Sequence, residues 1–225
     1  MFRLFDIVIA GFFLLFLSPL IFLLCMILFC TGEGEIFFKQ IRIGFHGKEF
    51  KIYKFATMLK NSPNTGFQTL TMKNDPRVLT LGRILRKTKI NELPQLLNIL
   101  FGDMSIVGPR PLTREGELNY KQEQANLIRS VRPGITGIGS LILRDEESYY
   151  AHRADAKKFY IQVISPYKAS LEIWYINHVS FYLNFVIIIN TAMVIIWPSW
   201  NVRPFFKSLP DMPIEMIASK SKHKI

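Results

Sequence analysis

The chain has 225 residues and a mass of 26.1 kDa, the size of one domain with appendages. Hydrophobic residues make up 49% and mean hydropathy is +0.20, which argues against a freely soluble body and for contact with a membrane. A net charge of +11 leaves nucleic acid, anionic lipid and phosphorylated groups as partners, and the only cysteines, Cys25 and Cys30, exclude a disulfide framework and suit a reducing compartment.

Residues 7–30 are 24 positions without a charge. A straight helix of that length covers about 36 Å, enough for a bilayer core. The run is too long for a signal peptide, and no small-residue cleavage site follows it. Ser18-Pro19 stands at its middle. Proline cannot donate to the carbonyl four residues back, so a break is expected there. Each half would then reach only about one leaflet, at roughly 18 Å. Two geometries follow, a kinked span and a re-entrant hairpin with both ends in the cytoplasm. Arg3 before the run and Lys39 and Arg42 after it fit the hairpin, because basic residues keep to the cytoplasmic side, but the residues alone leave both geometries open.

Between residues 31 and 90 there are 12 Lys or Arg against four acidic residues, Glu33, Glu35, Glu49 and Asp75. Such a surplus beside an apolar run suits anionic lipid. Alternating apolar and polar residues predict strands over 36–43 and 49–55, joined by a turn at Gly44-Phe-His-Gly47. Residues 61–71 read as a mobile loop, and 78–88 as a basic helix. Asn91 reads as an N-cap, with Leu93, Leu96, Leu97 and Leu100 at helical spacing behind it and Gly102 as the stop. A helix start there would favour phosphate and carboxylate.

Gly108-Pro-Arg-Pro111 fixes the backbone on both sides of Arg110, and Arg132-Pro-Gly-Ile-Thr-Gly137 is a second stiff turn. Rigidity of this kind suits a guanidinium that meets phosphate. Residues 159–180 read as a helix. Residues 181–197 are apolar with Asn184 and Asn190 but no charge, followed by Trp197 and Trp200 in the manner of an interfacial belt. The tail from Asn201 is spaced by prolines and ends in lysines, so it is expected to be loose. Scattered histidines give no zinc spacing, and no nucleotide-binding glycine loop occurs. Neither is there an aromatic–basic repeat, so nucleic acid is not an expected partner.

Six motifs together resemble one family: Ser18-Pro19, Tyr53-Lys-Phe-Ala-Thr-Met58, Asn91-Glu-Leu-Pro-Gln95, Gly102-Asp-Met-Ser105, Gly108-Pro-Arg-Pro111 and Arg132-Pro-Gly-Ile-Thr-Gly137. The chain is similar to the bacterial sugar transferases, the monotopic phosphoglycosyl transferases, from about residue 2 to 180. That resemblance implies an α+β fold, with a re-entrant membrane helix broken at Ser18 and Pro19, a small cytosolic catalytic body and interfacial amphipathic helices. It divides the chain into a hairpin at 1–30, a catalytic domain at 31–180, a membrane-associated helix at 181–200 and a flexible basic tail at 201–225.

The implied reaction moves a sugar-1-phosphate from a UDP-sugar to undecaprenyl phosphate, releases UMP and opens polysaccharide or glycoconjugate synthesis at the bacterial inner membrane. An oligomer is compatible with it. The resemblance assigns catalysis to positions 91 and 92 and places magnesium on Glu92. It gives phosphate binding to Lys54, Arg110 and Arg132, and a substrate pocket to Pro109, Pro111, Gly134, Glu172 and Tyr175.

Three residues depart from the family pattern. Asn91 stands where the family has its nucleophilic Asp, Ala56 where a second basic residue is usual, and Asn184 where an Asp is usual. A neutral carboxamide is a poor nucleophile. Four readings stay open: an engineered residue that traps substrate, Glu92 as nucleophile with Asp103 or Glu172 helping to hold metal, direct transfer between substrates, or a non-catalytic membrane scaffold.

Overall fold

The computed structural model describes residues 2–31, 34–60, 76–150 and 153–221. The loop expected at 61–71 lies outside the described residues. Helices dominate, and the strands form two two-stranded sheets, β1 (Phe37–Ile43) with β2 (Glu49–Phe55) and β3 (Ser105–Val107) with β4 (Gly134–Thr136). This is the α+β class expected from the sequence. The chain divides into two compact units, residues 1–41 with 50–106, and residues 42–49 with 107–225.

In the first unit the apolar run forms α1 (Phe2–Phe16) and α2 (Ser18–Cys30), bent by 61° at Leu17. Pro19 leaves the Leu15 carbonyl without its usual donor, and the Ser18 hydroxyl takes that place at 2.7 Å. The Ser-Pro pair therefore breaks the helix without orphaning a carbonyl. No single described helix is long and apolar enough to cross a membrane, whereas this bent pair passes the length and composition test together.

Both ends of the bent pair are tied to the same unit. At its start, the Arg3 guanidinium donates to the carbonyls of Ile99 and Leu100, at 2.6 and 3.0 Å. These carbonyls close α4 (Gln95–Phe101), which follows α3 (Thr80–Lys87). A cation at a helix C-terminus is favoured by the dipole. One turn on, buried Asp6 accepts from the Ser105 hydroxyl at 2.6 Å and the Ile106 N–H at 3.1 Å. At the other end, Leu24 and Leu28 of α2 pack with Phe55 and Leu85 into a buried cluster. The outer faces of both helices leave large apolar side chains exposed, among them Phe12, Leu15, Phe16, Phe22 and Phe29.

Asn91 does not cap a helix. It lies inside a 3-10 turn, Ile90–Glu92, and α4 starts only at Gln95 with Pro94 in the cap position. The bonds Leu93 N–H to Ile90 O and Leu97 N–H to Pro94 O carry tight i-to-i−3 turns into the helix. Gly102 ends α4 with φ +94, as expected.

The second unit begins with the tip of the β1–β2 hairpin and continues through α5 (Arg114–Glu117), α6 (Gln122–Arg129), α7 (Ile138–Ile142) and α8 (Ala156–Phe159). A π turn, Tyr160–Ile164, joins α8 to α9 (Ser165–His178). Pro166 lacks the N–H that a regular turn would need there, which accounts for the wide turn. Helix α10 (Phe181–Ile196) is capped by Ser180, whose hydroxyl accepts from the Leu183 N–H. Its polar residues face its own unit: Asn184 bonds Tyr175, Thr191 bonds Thr136, and Asn190 accepts from the Trp200 indole. Its other side exposes Phe181, Phe185, Ile189 and Ile196.

Over residues 201–221 the tail is packed where a loose segment is expected. Arg203 donates to the Tyr167 hydroxyl and the Pro210 carbonyl, Phe206 is buried, and α11 (Ile214–Ser221) buries Met216. Prolines shape this segment, but burial of Phe206 and Met216 holds it in place.

Candidate functional site

In the first unit the motif segment brings Lys54, Asn91, Glu92 and Gln95 into one neighbourhood. Lys54 comes from β2, and its ammonium meets the Glu92 carboxylate at 2.9 Å. Both side chains are mostly buried, 16% and 12% exposed. Their register is set by Asn98, which has no exposed surface. Its carboxamide accepts from the Tyr53 N–H at 3.0 Å and donates to the Lys51 carbonyl at 2.8 Å and to Asp103 at 3.2 Å. One side chain thus staples β2 to α4. Upstream, Lys89 takes φ +60, an uncommon left-handed conformation for a lysine, and turns the chain from α3 into the 3-10 turn.

Asn91 is 8% exposed, and its Oδ1 is enclosed without a hydrogen-bond partner. Such atoms are rare in native interiors. Beside Asn91, Glu92 carries a carboxylate of the kind magnesium takes, and magnesium needs only one or two protein oxygens beside water and substrate phosphates. The residues present therefore fit such an ion.

The second unit holds the other expected residues. The Gly108-Pro-Arg-Pro turn is pinned on two flanks. Gly108 N–H donates to Thr136 O and Gly134 N–H donates to Pro109 O, both at 2.9 Å. On the other flank the Ile43 N–H reaches Leu112 O at 2.9 Å and Arg42 reaches the Pro111 carbonyl at 3.1 Å. A Cβ at Gly134 would overlap the Gly108 backbone, so only glycine permits this approach. Pro109, Arg110 and Pro111 border a pocket shared with Tyr120, Glu117 and Arg129. The Arg132 guanidinium lies over the Phe45 ring at 4.9 Å.

Behind Arg110 sits Glu172, fully enclosed, with Oε1 accepting from the Arg110 N–H at 3.4 Å and Oε2 unpartnered. Burial pushes its carboxyl up to about 7, against the lowering effects of that N–H and of the Lys168 and Arg110 charges. Glu172 therefore supports the turn from beneath. Tyr175 lies 2.9 Å from Asn184 Oδ1 and 3.3 Å from Val107 O. Sequence reasoning overlooked the pair of buried Lys168 with half-buried Glu146 at 2.8 Å. Burial alone would lower the Lys168 pKa, and the Glu146 charge raises it overall. It also gave no role to Gln95, which closes one of the six motifs, or to Asn98, marked only as a polar residue inside an apolar helical run.

Among the described residues no group of three or more His, Cys, Asp or Glu side chains is arranged to hold a metal ion by itself. A model of the bacterial sugar transferase family matches residues 1–198. The chain belongs to the bacterial sugar transferase family. By family it is an enzyme, a sugar-phosphate transferase. This sugar transferase is 37% identical over 190 residues to the uncharacterized sugar transferase EpsL of Bacillus subtilis, covering 84% of each chain. It is 38% identical over 161 residues to the exopolysaccharide production protein ExoY of Rhizobium meliloti, covering 65% of this chain and 71% of that one. The undecaprenyl-phosphate galactose phosphotransferase of Salmonella typhimurium is 32% identical over 208 residues, which are 86% of this chain but 40% of that longer protein.

Proposed function

We propose that this chain transfers a sugar-1-phosphate from a UDP-sugar to a polyprenol phosphate such as undecaprenyl phosphate, directly and without a covalent enzyme intermediate. The observation that carries the reading is the Lys54–Glu92 ion pair beside the neutral, buried Asn91. A phosphate oxygen of the lipid attacks the sugar-linked phosphorus, the bond from that phosphorus to the bridging oxygen breaks, and UMP leaves with the electron pair. Asn91 cannot supply the attacking group. Its neutrality also removes the repulsion a carboxylate would exert on an incoming lipid phosphate. Lys54 offers a positive charge to phosphate beside Glu92, and in the second unit the stiff turns at Arg110 and Arg132 each present a guanidinium suited to phosphate. Magnesium, held by Glu92 with Asn91, would supply charge neutralisation at the diphosphate.

The bent pair α1–α2 is read as a re-entrant hairpin in the bacterial inner membrane. In support, Arg3 and Asp6 at one end and Leu24 and Leu28 at the other dock on the same unit. A span would separate those ends by a bilayer. The unit on which both ends dock then lies on the cytoplasmic side.

The reading is tested by UMP release from several UDP-sugars, with and without undecaprenyl phosphate. Release that strictly requires the lipid is expected, while Asn91→Asp should add a lipid-independent burst equal to the enzyme concentration. A burst from the native chain would instead place the nucleophile on Glu92. Substrate binding with no release from any UDP-sugar would leave the scaffold reading.

A further inference from the structure

The motif segment carries three buried carboxamides, and they behave differently. Asn98 spends its side chain on three partners within its own unit. Asn91 Oδ1 and Gln95 Nε2 are equally enclosed, at 8% and 2% residue exposure, yet have no hydrogen-bond partner. Leaving such atoms unpaired costs stability, and folded proteins pair nearly all of them. Leu93 (φ −52, ψ −38) and Pro94 (φ −60, ψ −17) keep right-handed backbone between the two residues. Positions four apart on such a run lie on one side of it. The same segment presents the Glu92 carboxylate with its Lys54 partner.

The two atoms are chemically complementary. An amide N–H seeks an oxyanion, and an amide oxygen seeks a cation or a hydroxyl. A phosphate group accompanied by a divalent cation answers both at once. We infer that Gln95 is a ligand-contacting residue that donates its side-chain N–H to a phosphate oxygen, with Asn91 Oδ1 turned to the accompanying cation. The inference rests on the proposed function only for the class of ligand. Gln95 is held ready for a guest, and its unpaired amide is a stability cost retained for binding.

Binding of UDP and of a short-chain polyprenyl phosphate to the full chain in detergent, each with and without magnesium, tests this alongside thermal unfolding. Gln95→Met is expected to unfold no lower than the native chain, because it removes an unpaired polar group from the interior. It should bind one or both ligands about ten-fold more weakly, the loss of one hydrogen bond to a charged group. Which ligand weakens identifies the phosphate that Gln95 meets. Should Gln95→Met unfold lower, the shape-preserving Gln95→Glu decides: weaker binding upholds the contact. Affinities unchanged from the native chain in the deciding variant overturn it, and so does a native chain that binds neither ligand. Native binding without UMP release would sink the transferase reading while leaving Gln95 as a phosphate contact.

Discussion

Glu172 joins burial to function at the scale of single residues. Its carboxyl, raised to about 7, binds a proton more tightly in the folded chain than in the unfolded one. The sign follows: folded stability is highest below the unfolded value near 4.5, falls as pH rises towards 7, and levels off above that. The fall should be on the order of 3 kcal/mol. Glu172→Gln should remove this contribution to the slope and leave the pH 8 stability at or above that of the native chain, as denaturant midpoints at pH 5 and 8 would show. Equal slopes in the two chains would mean Glu172 is ionised in the fold. Residue roles were legible in the sequence where chemistry is local. Pro109 and Pro111 around Arg110 stiffen their turn whatever surrounds them. The roles of Gln95, Asn98 and Lys168 depend on who sits across the fold, so no local pattern announced them.

At the scale of elements, the α1–α2 pair is held by charges on one side and apolar packing on the other. Asp6→Ala would leave the Ser105 hydroxyl and the Ile106 N–H, both half-buried, without their acceptor. A destabilisation of roughly 2–4 kcal/mol is expected, two unpaired donors at the usual cost each, measurable by denaturation in detergent. Asp6→Asn keeps one acceptor oxygen and should lose less. Equal unfolding midpoints for Asp6→Ala and the native chain would show that the clamp contributes nothing. The strands, the Ser18-Pro19 break and the Gly102 stop could be read directly, because period, proline and glycine act within a few residues. The expected cap at Asn91 failed for a local reason too: Pro94 and two tight turns delay the helix to Gln95. Helix α11 was missed because eight residues carry too little periodicity, and it is the burial of Met216 that orders it.

For the whole molecule, family membership and the apolar outer faces of α1 and α2 point the same way. Phe16, 68% exposed beside the bend, belongs in lipid if the hairpin is re-entrant. Phe16→Arg should sharply reduce flotation with anionic vesicles without lowering the unfolding midpoint in detergent, since the side chain points away from the core. Retained flotation would place the bend outside the bilayer. The proposed transfer carries phosphate from nucleotide to lipid around Lys54 and Glu92. Its most direct measurement follows a label on the sugar-linked phosphate of a UDP-sugar. The label is expected in the polyprenol fraction and not on the denatured protein, with transfer reduced at least about 100-fold, roughly 3 kcal/mol of barrier, by Glu92→Gln. No labelled lipid from any UDP-sugar, or undiminished transfer by Glu92→Gln, would contradict it.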